Sequence, residues 1–176
     1  MNTRPNKPVI STLTKAEIES IIEQTENYKY RTIIRLAYGS GLKLGEIINL
    51  KVADIDFESP LIRVGQRKTF LPESLIDELY FLIPDKKSNE YVFTSERGGK
   101  LSRETIQKFF TRCLEKSSIS KPASFQSLRH SFAVHLLEKR VDVHLVQELL
   151  GHQDIRLTKK YLKVANLDLS KIKSPW

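Results

Sequence analysis

The sequence predicts a mainly α domain with a small antiparallel β-sheet near its middle. Three observations carry this. Apolar residues recur at helical spacing before residue 50 and again after residue 102. Between Asp54 and Leu71 the period shortens, and the turn residues Ser59-Pro60 and Gly65-Gln66 split short apolar runs. The size, 176 residues with 40% hydrophobic content, suits one domain, or one and a small appendage.

Each element follows in order. Residues 1–11 are polar, carry Pro5 and Pro8, and read as a linker or arm. Thr14 followed by Glu17 forms a capping box, and Ile18, Ile21 and Ile22 then recur at helical spacing. A second helix is predicted over 30–38, with Ile33, Ile34 and Ala37 apolar, broken by Gly39-Ser40-Gly41. A short helix over 44–50 comes next. Strands are predicted over 54–57 and 61–64, with residues 65–68 turning the chain into a third over 69–71. Pro72 opens a helix over 73–82. Tyr91-Val92-Phe93 reads as another brief strand, and Ser102 caps a helix through Phe109, Phe110 and Leu114. After Pro122 the chain reads as helical: over 127–139, over 143–149, in a segment entered near Asp154, and in a short helix after Asn166.

Charge narrows the partner. Lys and Arg number 29 against 21 Asp and Glu, a formal net charge of +8. The surplus fits a polyanion, first of all nucleic acid, where displaced counterions drive binding. A lysine-rich protein with no such partner explains the charge equally well. Cys113 stands alone, which excludes an internal disulfide or a cysteine metal cluster, and its setting reads as that of a small buried hydrophobe. The N-terminus has no apolar signal core and no apolar run is long enough for a bilayer, so a soluble, cytoplasmic protein with no membrane partner is expected.

The chemistry concentrates between Ser127 and Tyr161. Leu128, Phe132, His135 and Leu136 share one helical face, while Arg129 and His130 begin that helix. A helix N-terminus with a guanidinium beside it favours a phosphate. Taken singly, Arg129 reads as a surface salt-bridge partner and His130 as a structural histidine. Gly151 after two leucines is a helix stop. His152 follows on the turn, and Tyr161 comes nine residues later among lysines. Alone, that tyrosine reads as packing at the core edge.

Together these pieces resemble the catalytic domain of the tyrosine recombinases, the phage integrase family. The family's signatures are His-x-x-Arg-His, Leu-Gly-His, and a Tyr nine residues after that last His. Gly39-Ser-Gly41-Leu42-Lys43-Leu44-Gly45-Glu46 resembles its Gly-Leu-Arg-x-x-Glu box, and Leu50-x-x-x-Asp54 follows as expected. Gly65-Gln66-Arg67-Lys68-Thr69 resembles the β-hairpin that carries the family's catalytic lysine. The tail from Leu169 to Pro175 resembles Xer-type and integron-type members. The resemblance covers about residue 10 to 176.

The resemblance implies the tyrosine recombinase catalytic-domain fold and a mechanism without metal or cofactor. Tyr161 is then the nucleophile, forming a 3′-phosphotyrosyl link and freeing a 5′-hydroxyl. Arg129 holds non-bridging oxygens, Lys68 protonates the leaving oxygen, His152 bonds a phosphate oxygen, and His130 supports the site. Double-stranded DNA is the implied partner. Lys51, Arg67, Arg103, Lys108 and Arg112 are candidate phosphate contacts by their placement near the boxes, though each alone reads as a solvated surface charge. Residues 12–176 are read as the catalytic domain, with the family's N-terminal DNA-clamping domain absent. Family members act as tetramers that exchange C-terminal segments; here Leu167, Leu169 and Ile172 suit that exchange or packing on their own domain.

Two positions depart from the pattern. Lys43 stands where the family has its first arginine, and a point charge cannot grip two oxygens. Gln126 stands where His or Lys opens the His-x-x-Arg box, and an amide cannot relay a proton. If each loses a factor of roughly 10² or more, cleavage is very slow. Three readings stay open: a recombinase with a tolerant site, a degenerate member that binds DNA without cutting well, or an engineered change at Lys43 that traps a complex. Two rivals are a helix-turn-helix regulator, which leaves the Arg-His, His and Tyr spacing unexplained, and a type IB topoisomerase-like activity.

Overall fold

The structure, a computed structural model, describes residues 10–167. Helix α1 (Lys15–Glu23) starts on the expected box: Thr14 Oγ1 accepts the Glu17 N–H at 3.2 Å, and the Glu17 carboxylate accepts the Thr14 N–H at 2.7 Å. Helix α2 (Tyr28–Ser40) is longer than predicted at both ends. Asn27 caps it through the Tyr30 N–H, and it runs through Gly39, whose missing side chain leaves room for Pro72. It stops at Gly41, whose φ of +62° is the left-handed conformation glycine favours. Helix α3 (Leu44–Asn49) follows after the two residues Leu42 and Lys43.

The sheet is antiparallel with order β1 (Ile55–Asp56), β2 (Leu61–Val64), β3 (Arg67–Phe70). Its β2–β3 turn corrects the expectation that residues 65–68 all belong to the connection. Only Gly65 and Gln66 turn, and Val64 already pairs with Arg67, and Arg63 with Lys68. Gly65 supplies a φ of +59°, which a tight two-residue hairpin requires. Because strand side chains alternate, Arg67 and Thr69 face one side and Lys68 and Phe70 the other. The inner side is fixed by Thr69, which is fully buried and donates its hydroxyl to the Ser40 carbonyl at 2.7 Å.

A 3₁₀ turn, Glu73–Leu75, leads into α4 (Ile76–Leu82). The strand expected over 91–93 does not form; Tyr91 makes only an isolated bridge with Lys51. The bridge cannot lengthen, because the Leu50 N–H closes α3 on the Ile47 carbonyl and residues 52–54 form a 3₁₀ turn; the Lys86 ammonium takes the Tyr91 and Val92 carbonyls at 2.9 and 3.0 Å. Ser102 caps α5 (Arg103–Lys116) as predicted. Helices α6 (Phe125–Glu138), α7 (Val143–Leu150) and α8 (Ile155–Leu162) complete the described chain.

Two apolar cores form among the described residues. The larger joins α1–α5 and the sheet to Phe125 and Leu128 at the start of α6, and it includes the buried Cys113. The smaller lies under α6, α7 and α8 and includes Phe132, Leu149, Leu150 and Tyr161. Arg129 sits on α6 at the seam between them. Among the described residues no helix is long and apolar enough to cross a membrane. The helix expected after Asn166, Leu169, Ile172 and most of the N-terminal arm lie outside the described residues.

Candidate active site

Arg129 lies one turn inside α6, not at its start as the sequence suggested, since the helix begins at Phe125. Its side chain is 2% exposed. Nη1 donates to the Gly41 carbonyl at 2.7 Å and Nη2 to the Leu150 carbonyl at 2.6 Å. Those carbonyls close the C-terminal ends of α2 and α7, where helices leave acceptors unsatisfied and partial negative charge collects. One buried cation therefore caps two helices. Burial lowers its pKa, Glu46 opposes that, and Arg67 adds to it.

Glu46, on α3, organises the cations. Its Oε2 accepts the Lys43 backbone N–H at 2.7 Å and Arg67 Nη2 at 2.7 Å, and lies 3.7 Å from Arg129 Nη1. Lys43 itself is the exposed residue before α3. It lines a cleft of about 610 Å³ between α3, α5 and the start of α6, together with Arg103, Gln107 and Gln126.

Tyr161 closes the cluster from α8 and is 5% exposed. Its hydroxyl lies 2.8 Å from His130 Nδ1. Burial raises the phenol's pKa, and the positive Arg129 pulls it back down. His130 is held below the usual histidine range by burial and by Arg129. The His152 ring lies parallel to Tyr161, at 12° with centroids 6.3 Å apart. Thr158 Oγ1 holds His152 Nδ1 at 2.9 Å, and Gln147 holds its backbone carbonyl. Burial first, then Arg129, Lys43, Arg67 and His130, push its pKa down to about 4. Both imidazoles are thus neutral at pH 7.

The structure therefore brings together Arg129, His130, His152, Tyr161, Arg67 and Lys43. It does not bring in Lys68, which lies on the outer face of β3 beside Arg63. Gln126 is exposed on the first turn of α6 and reaches the cleft, not the tyrosine. Of the candidate phosphate contacts, Arg103 lines the cleft, Lys108 and Arg112 are exposed on the next stripe of α5, and Lys51 is exposed beside the Tyr91 bridge. Arg67 departs from that group: it is 12% exposed and turned inward. Sequence reasoning missed Thr158 and the hub role of Glu46. Only the box around Lys43 hinted at Glu46, and nothing in the sequence marks Thr158.

The sequence profile of the phage integrase family matches residues 11–167. The chain belongs to the phage integrase family. Among family relatives, tyrosine recombinase XerA of Pyrococcus horikoshii is 32% identical over 178 residues, covering 96% of this chain and 62% of the relative. Tyrosine recombinase XerD of Halalkalibacterium halodurans is 30% identical, covering 92% of this chain and 60% of the relative. This phage integrase family chain thus spans about three fifths of the length of these relatives. In three dimensions it is similar to the crystal structure of XerA recombinase, at a TM-score of 0.78 and 26% identity, covering 96% of this chain and 63% of that one. XerH bound to palindromic difH substrate, in a post-cleavage complex, shares the fold at a TM-score of 0.76 and 24% identity, covering 89% of this chain and 50% of that one.

Proposed function

We propose that this integrase-family domain binds double-stranded DNA and breaks and rejoins strands through a 3′-phosphotyrosyl intermediate. The observation that carries the reading is the Tyr161 hydroxyl on His130 at 2.8 Å, beside the buried Arg129. A neutral imidazole with a bare Nδ1 accepts the phenolic proton as the Tyr161 oxygen forms its bond to phosphorus. The phosphorus–5′-oxygen bond breaks, and the leaving oxygen takes a proton from solvent. Rejoining reverses these steps from another 5′-hydroxyl. One ester replaces another, so no outside energy source is needed. Arg129, Lys43 and His152 stabilise the charge that gathers on the non-bridging oxygens, which is where electrostatic catalysis acts most strongly. Lys68 is exposed on the outer face of β3, so this reading assigns it no step. Departures at Lys43 and Gln126 make slow turnover the expected behaviour.

DNA is supported as the partner by the net charge of +8 and by the cation-lined cleft. DNA-bound recombinases among the structural neighbours support it further. Assembly as a tetramer through the C-terminal segment is part of the same reading.

The test is a pool of nicked duplexes with a randomised centre, run with the protein on a denaturing gel. A covalent protein–DNA adduct that disappears in Tyr161→Phe supports strand transfer. Tight binding with no adduct would reduce the chain to a DNA-binding family member. Relaxation of supercoiled plasmid without strand exchange would favour the topoisomerase-like alternative.

A further inference from the structure

We propose that Arg67 supplies the second phosphate-binding guanidinium, the group that Lys43 cannot provide. The inference rests on the phosphodiester-transfer reading. Four observations carry it. The two-residue turn at Gly65-Gln66 sets the phase of β3, so that Arg67 faces the cluster and Lys68 faces solvent. Gly151 makes room for it: a Cβ there would overlap Arg67 Cδ, so the arginine's stem passes over a bare glycine at the end of α7. Nη2 is anchored at 2.7 Å on the same Glu46 oxygen that lies 3.7 Å from Arg129, so one carboxylate oxygen brackets both guanidinium groups. Nη1 is buried and has no hydrogen-bond partner among the described residues.

That last nitrogen is the informative one. A buried N–H without a partner is a cost, and a protein that needed only the Glu46 ion pair would have no reason to keep it. An anion placed beside Arg129 would satisfy it. Arg67 also adds positive potential at both Arg129 and His152, so its charge reaches the place where phosphate oxygens would sit. Lys43 offers an exposed point charge and no planar fork. In this chain the fork arrives from the sheet and not from the start of α3.

Two measurements test it. The first is calorimetric titration with orthovanadate, an oxyanion that adopts the five-coordinate geometry of a phosphoryl transition state. The chain should bind it, Arg67→Ala should bind at least tenfold more weakly, and Arg97→Ala should match the parent. Arg67→Lys keeps a cation for Glu46 and removes the fork; it should stay folded, by circular dichroism, and lose most of the affinity. Adding Lys43→Arg to Arg67→Ala should recover at least tenfold over Arg67→Ala alone. The second measurement is the adduct assay. Arg67→Ala should lose about a hundredfold in adduct rate, and a methylphosphonate at the scissile position, which removes the charge Arg67 neutralises, should restore it. Failure of the parent to bind vanadate overturns the proposal, as does parental affinity in both Arg67 variants. Vanadate binding without any adduct keeps the arginine pair and sinks the strand-transfer reading. An adduct unaffected by Arg67→Ala does the opposite.

Discussion

His130 Nδ1 and the Tyr161 hydroxyl lie 2.8 Å apart, joining an imidazole on α6 to a phenol on α8. The pair places the proposed nucleophile in hydrogen-bonding contact with its proposed proton acceptor. Replacing His130 with Ala should slow adduct formation by roughly 10²–10⁴, the usual value of a positioned base. The loss should shrink as pH rises, since hydroxide then removes the phenolic proton. An adduct rate in His130→Ala that equals the parent's at pH 7 would rule His130 out as the base.

Acid should weaken the fold in a defined window. His152 has a folded pKa of about 4, whereas an unfolded histidine titrates near 6.5. Above pH about 6.5 both states are neutral at this ring and it contributes no pH dependence. As pH falls from about 6.5 towards 4, only the unfolded chain gains the proton, so stability falls. His152 is half-buried, so after solvent screening the loss is on the order of 1–2 kcal/mol. His130 and His135 are lowered too and act in the same direction. Urea midpoints at pH 7 and pH 4.5 should differ more in the parent than in His152→Gln.

Arg129 should matter to the fold as well as to the chemistry. Removing it leaves the Gly41 and Leu150 carbonyls buried without their donor and leaves Glu46 facing one cation fewer. Arg129→Ala should lose about 3–5 kcal/mol, as for a broken buried ionic network. The exposed Arg112→Ala should stay within about 0.5 kcal/mol of the parent. Urea unfolding of the two variants separates these outcomes, and equal midpoints would contradict the double-cap role.

Two of the left-handed glycines near the site, Gly65 and Gly151, should respond differently to alanine. Gly65 has a φ of +59° and open space around its missing side chain, so Gly65→Ala meets backbone strain alone, about 1 kcal/mol. Gly151 has a φ of +64° and Arg67 against it. Gly151→Ala should lose more, about 2–3 kcal/mol, and should also displace Arg67. Thermal melts and the vanadate titration together read both effects; an unchanged vanadate affinity in Gly151→Ala would mean Arg67 needs no such gap.

DNA affinity should depend on salt through the exposed cations. Arg103→Ala, in the cleft, should reduce the slope of log affinity against log salt by about one, with similar effects on all sequences. Fluorescence anisotropy on a mixed-sequence duplex across a salt series measures it. A slope equal to the parent's would remove Arg103 from the interface.

Much of this architecture is legible in the residues. The Thr14–Glu17 box, the Ser102 cap and the Gly151 stop each act locally, through atoms within a few positions of one another, and each fell where the spacing put it. The strand expected at 91–93 failed because its partner around Lys51, some forty residues away, is flanked by α3 and a 3₁₀ turn. The site was legible as a set of residue types, Arg129, His130, His152 and Tyr161, because their spacing is a chain property. Its inner wiring was not. Whether Arg67 or Lys68 turns inward is set by where the hairpin's turn ends, and both residues are basic, so composition gives no preference. The partners of Arg129 are backbone carbonyls, which every residue possesses and no sequence marks.

The two-residue hairpin turn has a consequence for how such a site can change. Side chains on a strand alternate, so inserting one residue between Gly65 and Arg67 reverses the facing of everything that follows in β3 until a bulge absorbs it. Lys68 would then look inward and Arg67 outward. Thr69 would leave its bond to Ser40, which makes the inserted form harder to fold. A loop of two residues thus works as a selector between a forked cation and a proton-donating one.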